Sequence, residues 1–265
     1  MAVADLSGTA GRALVRRPSP RLSEGLVTHI DRVPVDADLA GQQWRDYVAA
    51  LAATGWQTVE VTPADDCPDA VFVEDSVVMI GSTAVITNPG ADERKPETAG
   101  TAETLRGLGY SVLSMHTGTM DGGDVLKVGS LVYVGRGGRT DAAGVAEFRS
   151  LVEPLGVRVV AVPLTKVLHL KSAVTALPDG SIIGYAPLVD DPAFFPHFRP
   201  MPEEGGSHVV DLGGGRLLMA ASAPRSAELL AGLGYTPVPV DITEFEKMEG
   251  CVTCLSVRLR TPPAG

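Results

Sequence analysis

The sequence is poor in cysteine and in aromatic residues, and each shortage excludes a class of protein. It holds three cysteines among 265 residues. So few, and an odd number, do not build the disulfide framework of a small secreted domain, and they fit a reducing cytoplasm. Aromatic residues make up 5% of the chain, too few for the stacking surfaces that bind single-stranded nucleic acid.

Basic residues are also scarce. There are 22 Lys and Arg against 32 Asp and Glu, which gives a net charge of −10. An acidic surface repels phosphate, so nucleic acid and anionic membranes are not expected as partners, whereas small cations are attracted. No apolar run reaches the ~18 residues of a membrane span, and residues 1–17 lack the apolar stretch of a signal peptide. We therefore expect a cytoplasmic protein whose surface attracts small cationic molecules.

Glycine and proline are plentiful and spread along the chain. The 30 glycines and 20 prolines form no low-complexity tract, so they predict many turns between short elements. A chain of 265 residues fits one large domain or two small ones. No linker of distinctive composition divides it, and we expect a single α/β domain over residues 1–265.

Four segments repeat one pattern, in which a helical stretch is followed by glycine and then by an apolar strand. Residues 42–54 and 225–233 have the apolar spacing of amphipathic helices. The glycine stands where the helix ends, a position that favours a left-handed backbone. The four glycines are Gly55, Gly109, Gly156 and Gly234.

Between these segments, pairs of apolar stretches are separated by turn residues, as in β-hairpins. The elements together form about five ββαβ units, which we expect to surround one axis as a closed, pseudo-symmetric propeller. An ordinary two-layer α/β sheet is the alternative. In the fourth unit, residues 187–206 predict a loop with at most a short helix. The predicted hairpins span residues 70–87, 124–134, 173–186 and 209–220, and residues 252–260 can pair with residues 12–17.

Candidate reactive residues stand at the starts of different units, so a ring would bring an acid, a histidine and a cysteine together. Glu74 and Asp75 are flanked by apolar residues, and adjacent buried carboxylates are costly without a cationic partner. Asp121 lies in Asp-Gly-Gly-Asp, which is either a tight turn or the source of a carboxylate that orients an imidazole. His169, among apolar residues, is either a core residue or a catalyst.

Cys254 invites three interpretations: a buried core residue, a catalytic thiol, or half of a redox pair with Cys251. We expect its segment to be a strand, in which residues i and i+3 lie about 10 Å apart and face opposite ways. That separation is too large for a disulfide, so the redox pair is not expected. Cys67 stands in a Pro/Asp loop. No His and Cys spacing suggests a metal site.

Four motifs, taken together, resemble the dimethylarginine dimethylaminohydrolase family of the guanidino-group modifying superfamily. They are Phe-Val-Glu-Asp (72–75), Asp-Gly-Gly-Asp-Val (121–125), His-Leu-Lys-Ser (169–172) and Thr-Cys-Leu-Ser (253–256). The similarity runs over nearly the whole chain. It implies a five-bladed ββαβ propeller, the pentein fold, which agrees with the count of units. It also implies hydrolysis of Nω-methylated arginines to citrulline and methylamines through a cysteine thiouronium, without metal or cofactor.

Carried over residue by residue, the resemblance assigns roles to ten positions. It implies that Cys254 is the nucleophile, that His169 is the general acid and base, and that Asp121 orients the histidine. The substrate-binding positions are Asp69, Glu74 and Asp75 for the guanidinium and amino ends, Arg94 and Arg139 for a substrate carboxylate, Leu26 at the tip of a lid, and Met248 through its backbone carbonyl.

Two features depart from or refine this family pattern. Residues 204–208 replace an Ala-x-Asn-like motif that family members usually carry. Lys171 occupies the place of an aspartate usual in arginine deiminases, which favours methylated arginine as substrate. An arginine deiminase and a non-catalytic protein that binds cationic ligands remain alternatives, and a homodimer is left open.

Overall fold

The computed structural model describes residues 11–260, so the ends of the expected domain 1–265, including most of segment 1–17, lie outside the described part. Within residues 11–260, no helix is long and apolar enough to cross a membrane. The helices are α1 (Ala37–Ala53), α2 (Glu97–Gly107), α3 (Ala142–Val152), α4 (Leu170–Ala173), α5 (Pro224–Gly232) and α6 (Thr243–Glu246). The strands are β1 (Arg12–Val15), β2 (Gln57–Glu60), β3 (Val77–Ile80), β4 (Thr83–Ile86), β5 (Ser111–Ser114), β6 (Val125–Val128), β7 (Leu131–Arg136), β8 (Arg158–Pro163), β9 (Val174–Ala176), β10 (Ile182–Gly184), β11 (Phe198–Pro200), β12 (Val209–Gly213), β13 (Arg216–Ala220), β14 (Thr236–Val240) and β15 (Val257–Leu259).

The strands form five three-stranded sheets on one plan. Their orders are β15-β1-β2, β3-β4-β5, β6-β7-β8, β11-β10-β9 and β12-β13-β14. In each sheet the middle strand pairs antiparallel with one neighbour and parallel with the other. A parallel pair needs a crossover, which a helix supplies in four of the units. The predicted five-unit α/β propeller is confirmed, and the single two-layer sheet is wrong.

The helix ends follow from the residues that cap them. Helix α1 begins earlier than the apolar spacing suggests, because the Asp36 side chain accepts hydrogen bonds from the main-chain N–H groups of Asp38 and Leu39, both at 3.0 Å. It ends before Gly55, whose φ is 95°. The three other glycines of the repeat have φ between 86° and 91°, as the pattern predicted.

The apolar core is divided into five clusters, each shared by two neighbouring units. The cluster between the second and third units shows the arrangement. Val78 and Ile80 of β3 pack with Val132 and Val134 of β7 and with Phe148 of α3. Because the clusters join every unit to both of its neighbours, and β15 pairs with β1, the five units form a closed ring.

Three stretches lack the regular unit structure. In the fourth unit, two single 3₁₀ turns, Ala186–Leu188 and Pro192–Phe194, replace the helix, as expected for a proline-rich loop. The prediction of a loop over residues 187–206 missed β11, which pairs with β10 in this segment. The predictions of strand over residues 70–76 and 252–256 are wrong. Main-chain N–H groups there bond three residues back, as from Asp75 to Phe72 and from Cys254 to Cys251. These turns precede β3 and β15, and they carry candidate site residues.

Candidate active site

One cleft collects most of the predicted site residues from distant parts of the chain. Of the ten predicted positions, eight line it: Leu26, Asp69, Asp75, Arg94, Arg139, His169, Met248 and Cys254. Asp121 lies behind His169, to which it is hydrogen-bonded. The Glu74 side chain lines a different cavity. The ring therefore brings an acid, a histidine and a cysteine together, as expected.

The His169 ring lies between two carboxylates. Its Nε2 is 2.9 Å from Asp121 Oδ2, and its Nδ1 is 3.7 Å from Asp75 Oδ1. Asp121 is fully buried, and its other oxygen accepts the Gly90 N–H at 2.8 Å. This second bond holds the Asp121 carboxylate in place, so the carboxylate fixes the orientation of the imidazole.

The two carboxylates make His169 an imidazolium at neutral pH. Burial alone would lower the pKa of His169, but the charge of Asp75 and the hydrogen bond to Asp121 outweigh it and raise the pKa to about 9. Burial would conversely raise the pKa of Asp75, whereas the charges of His169 and Arg94 lower it to about 2. The cleft thus holds a proton donor beside an ionised carboxylate.

Arg94 and Asp75 form a buried ion pair, with Arg94 Nη1 2.5 Å from Asp75 Oδ2. The same guanidinium donates from Nε and Nη2 to Glu97, at 3.0 and 2.8 Å. Nη2 also lies 3.2 Å from the carbonyls of Asp69 and Phe72. With these bonds in place, little of the Arg94 guanidinium is free for a substrate carboxylate. Its contacts instead position Asp75.

Glu74 has the cationic partner that its burial demands, but the partner belongs to the chain itself. Lys171 Nζ lies 2.5 Å from Glu74 Oε1. Burial raises the pKa of Glu74, and Lys171 opposes that effect. The pair lines a separate cavity of about 390 Å³ together with Lys127. The structure therefore separates Glu74 from the cleft that holds the other predicted binding residues.

The Asp-Gly-Gly-Asp motif is a 3₁₀ turn whose glycines let the backbone pass close to the site. A Cβ on Gly123 would lie 2.6 Å from Asp75 Oδ1 and 2.7 Å from His169 Nδ1. The Gly123 N–H donates to Asp75 Oδ1 at 2.9 Å. Asp124 accepts the Leu170 N–H at 2.9 Å and so anchors the residue after His169. The motif is thus both a turn and part of the support for His169.

Cys254 and Cys251 lie close together, contrary to the prediction. Their Sγ atoms are 3.3 Å apart, and both residues are buried. The segment turns back on itself instead of extending, which places both thiols on the same side. The hydrogen bond to Cys251 and burial raise the pKa of Cys254, and the charges of Glu74 and Asp75 add to the effect. Cys254 is therefore a thiol while no cation occupies the cleft.

A lid closes the cleft. The Leu26 N–H donates to the Asp69 carboxylate, 3.0 Å from Oδ2. Glu249 accepts the main-chain N–H groups of Thr28 and His29, both at 2.7 Å. The cavity left beneath measures about 20 Å³, room for about one water molecule, whereas ligand sites usually offer about 300 Å³ or more. With residues 22–29 in this position, the cleft has no room for a substrate.

Two further predicted positions complete the wall. Arg139 is largely buried, with 9% of its surface exposed. Even so, its side chain has no hydrogen-bond or ion-pair partner among the described residues. It is thus a guanidinium available to an anionic group. Met248 is buried beside the lid, and a Cβ added to Gly25 would lie 2.6 Å from its Cε. The structure therefore gives Met248 a packing contact with the lid.

Asp75, Asp121 and His169 offer ligand atoms within 4.8 Å of one another, close enough to hold a metal ion. Each of these groups already has a partner. Both ring nitrogens of His169 face carboxylates, and Arg94 pairs with Asp75. A metal would have to displace these contacts. That the protein needs no metal stays a prediction.

Sequence reasoning missed three acidic residues that support the site. Glu97 follows Arg94 by three residues, a spacing that could have indicated an ion pair at the start of α2. Asp124 was visible in the motif, but its bond to Leu170 depends on the fold. Glu249 had no local signal, since its partners Thr28 and His29 come from the other end of the chain.

No family model matches the chain. A Streptomyces coelicolor protein named N(G),N(G)-dimethylarginine dimethylaminohydrolase is 67% identical over 250 residues, which cover 94% of this chain and 97% of that protein. A Pseudomonas aeruginosa protein of the same name is 32% identical over 92% of this chain and 98% of its own length. A solved structure of the Pseudomonas aeruginosa enzyme, a cysteine-to-serine variant complexed with citrulline, has a TM-score of 0.88 at 32% identity and covers 95% of this chain and 100% of its own. The N-terminal domain of ArgZ, a cyanobacterial arginine dihydrolase, shares the fold at a TM-score of 0.79 and 20% identity, over 96% of this chain and 99% of its own.

Proposed function

Because the chain belongs to the dimethylarginine dimethylaminohydrolase family and hydrolyses dimethylarginine to citrulline and dimethylamine, we propose that Cys254 is its nucleophile and His169 its general acid and base. The observation that carries these roles is the Asp121–His169 hydrogen bond in a cleft that Cys254 also lines. Neither residue needs a cofactor for the reaction, since a thiolate and an imidazolium supply the nucleophile and the proton.

The substrate itself activates the nucleophile. In the empty cleft, the hydrogen bond to Cys251 and burial raise the pKa of Cys254, and the charges of Glu74 and Asp75 add to the rise. A bound guanidinium brings a positive charge that offsets these carboxylates and stabilises the thiolate. The thiolate then attacks the central carbon of the guanidinium. The nucleophile is thus ionised mainly when a substrate is present to react with it.

His169 supplies the proton for the leaving amine. Its pKa of about 9 keeps the ring protonated at neutral pH. Protonation lets dimethylamine leave, and a covalent thiouronium remains on Cys254. The neutral imidazole next takes a proton from water, which attacks the thiouronium and releases citrulline. Asp121 stabilises the imidazolium and holds the ring in one orientation throughout.

The cleft holds the substrate at both ends. Asp75 and Asp69 line it and offer negative charge to the guanidinium and amino groups, and Asp69 also ties down the lid at Leu26. Arg139, free of other partners among the described residues, receives the substrate carboxylate. Arg94 supports Asp75 through their ion pair and does not bind the carboxylate itself. This division revises the two equivalent arginines implied by the family resemblance.

Citrulline formation tests the substrate class and the nucleophile. We expect citrulline with dimethylamine from asymmetric dimethylarginine, citrulline with methylamine from monomethylarginine, and little from arginine. Release of ammonia from arginine at a comparable rate would favour a deiminase. Cys254→Ser should bind substrate without turnover, whereas Cys67→Ser should stay active. Binding without turnover in the unmodified protein would favour a non-catalytic role, and loss of activity with EDTA would contradict a purely thiol mechanism.

We also propose that residues 1–265 form one catalytic domain that acts in the cytoplasm, with a homodimer as its candidate assembly. Support for one domain comes from the closed ring over residues 12–259. The cytoplasm is favoured by three free cysteines in a chain of 265 residues. Light scattering of the full chain tests the homodimer, and a mass equal to one chain would contradict it.

A further inference from the structure

Two thiols meet in the turn before β15. The Sγ atoms of Cys251 and Cys254 are 3.3 Å apart, whereas sulfur atoms in a disulfide are about 2.05 Å apart. The Cys254 N–H donates to the Cys251 carbonyl at 3.1 Å, which makes the segment a tight turn. The ends of such a turn have Cα atoms less than about 7 Å apart, and disulfides span about 4.4–6.8 Å. Both thiols can therefore be joined with little movement of the backbone.

The two thiols are reached from different cavities. Cys254 lines the substrate cleft, where the lid leaves about 20 Å³. Cys251 lines a second cavity of about 480 Å³, together with His208 and Glu249. A small oxidant in this second cavity can thus meet Cys251 without entering the substrate cleft.

The surroundings of Cys251 favour its thiolate. The hydrogen bond with Cys254 lowers the pKa of Cys251, and the neighbouring His208 adds to the effect against the cost of burial. Thr253 Oγ1 lies 3.2 Å from Cys251 Sγ and can donate to it. A thiolate is the form that reacts with peroxides. Cys251 therefore lines an open cavity, lies in surroundings that favour its thiolate and has a second thiol beside it.

We propose that Cys251 and Cys254 form a reversible redox site, in which a hydroperoxide oxidises Cys251 and Cys254 then closes a disulfide. In the first step the Cys251 thiolate attacks a peroxide oxygen, the O–O bond breaks, and a sulfenic acid forms with release of hydroxide, or of alkoxide from an organic peroxide. In the second step Cys254 attacks the Cys251 sulfur and water leaves, so that two thiols are oxidised and one peroxide is reduced. Reduction by a dithiol restores both thiols.

This modification goes beyond the proposed hydrolysis, and the formation of the disulfide does not depend on that reaction. Only the loss of activity rests on Cys254 being the nucleophile, because a sulfur held in a disulfide cannot attack a guanidinium. The covalent change and the activity are therefore measured separately. If the disulfide forms while activity persists, the assignment of the nucleophile fails and the redox site stands.

The test treats the full chain with hydrogen peroxide and then blocks free thiols under denaturing conditions. Trypsin cuts after Lys247 and Arg258, so one peptide carries both cysteines. We expect this peptide to lose about 2 Da, the mass of two hydrogens, and dithiothreitol to restore both its mass and the activity. Cys67→Ser is the matched control, since it removes a cysteine outside the pair and should behave as the unmodified protein.

Cys251→Ser gives the decisive comparison. We expect it to keep turnover and to resist a peroxide dose that inactivates the unmodified enzyme. In Cys254→Ser, we expect sulfenic acid to accumulate on Cys251, where dimedone traps it. Cys251→Ala repeats the comparison should the serine variant fold poorly. Inactivation of Cys251→Ser at the unmodified rate, or oxidation of Cys254 alone with Cys251 still free, would overturn the proposal.

Discussion

Replacing His169 by glutamine should flatten the dependence of stability on pH between pH 6.5 and pH 9. The pKa of His169 is about 9 in the folded protein, whereas an unfolded histidine titrates near 6.5. Because the folded pKa is raised, the stabilisation from the imidazolium is complete below pH 6.5. It is lost as pH rises through about 9.

The magnitude follows from the two pKa values. One pKa unit corresponds to about 1.4 kcal/mol, and the values differ by about 2.5 units, so the imidazolium contributes about 3 kcal/mol to the free energy of unfolding. His169→Gln should thus be less stable than the unmodified protein at pH 6.5, and the difference should shrink by about 3 kcal/mol by pH 9. The low pKa of Asp75, about 2, adds a stabilisation that is complete above about pH 3.8 and is lost only as pH falls below that value, so it stays constant within this window.

Urea unfolding at several pH values measures the difference directly. Below pH 6.5 the free energies of unfolding of the two proteins should change in parallel with pH, because His169 is protonated in both the folded and the unfolded states. His116→Gln, at an exposed position, is the matched control for losing an imidazole. A difference that stays constant from pH 6.5 to pH 9 would refute the reasoning that Asp75 and Asp121 hold His169 as a cation.

Three other substitutions test the wall, the turn and the lid. Arg139→Ala removes charge-assisted hydrogen bonds worth about 1.5–3 kcal/mol, so KM should rise about tenfold to a hundredfold with a smaller change in kcat; an unchanged KM would remove Arg139 from the site. Gly123→Ala places a Cβ 2.6 Å from a carboxylate oxygen. Thermal melts should show that the free energy of unfolding falls by about 1–3 kcal/mol, and assays should show a loss of turnover. Gly107→Ala is the control and should be neutral, because a Cβ added there would have no atom within 4 Å. Glu249→Gln weakens the bonds that hold the lid and should raise KM severalfold in steady-state assays; equal KM values would show that the lid does not depend on this charge.

The repeat of helix, glycine and strand was readable because it is local. Gly55 and its three counterparts end their helices with positive φ, and the hairpin turns lie where glycine and aspartate predicted them. The sequence alone therefore predicted the number of units and the pairing of β15 with β1. The family resemblance then named the residues that the ring brings together in the cleft.

The errors arose where burial or tertiary contacts decide the structure. The turn from Cys251 to Cys254 is mostly apolar and buried, so its composition resembles a central strand. Burial of Glu74 indicated a cation, but only the fold shows that Lys171 supplies it. No local pattern could connect Glu249 to Thr28, because the bond joins segments far apart in the chain.

The pairing of β15 with β1 links catalysis to the completion of folding. The two strands come from opposite ends of the described chain, and Cys254 lies just before β15. Contacts within a unit are local, whereas this pairing must overcome the loop-closure entropy of almost the whole polypeptide. The nucleophile is therefore in place only when the ring has closed. A chain with four units folded and the fifth still open has helices, strands and apolar clusters, but no assembled reaction centre.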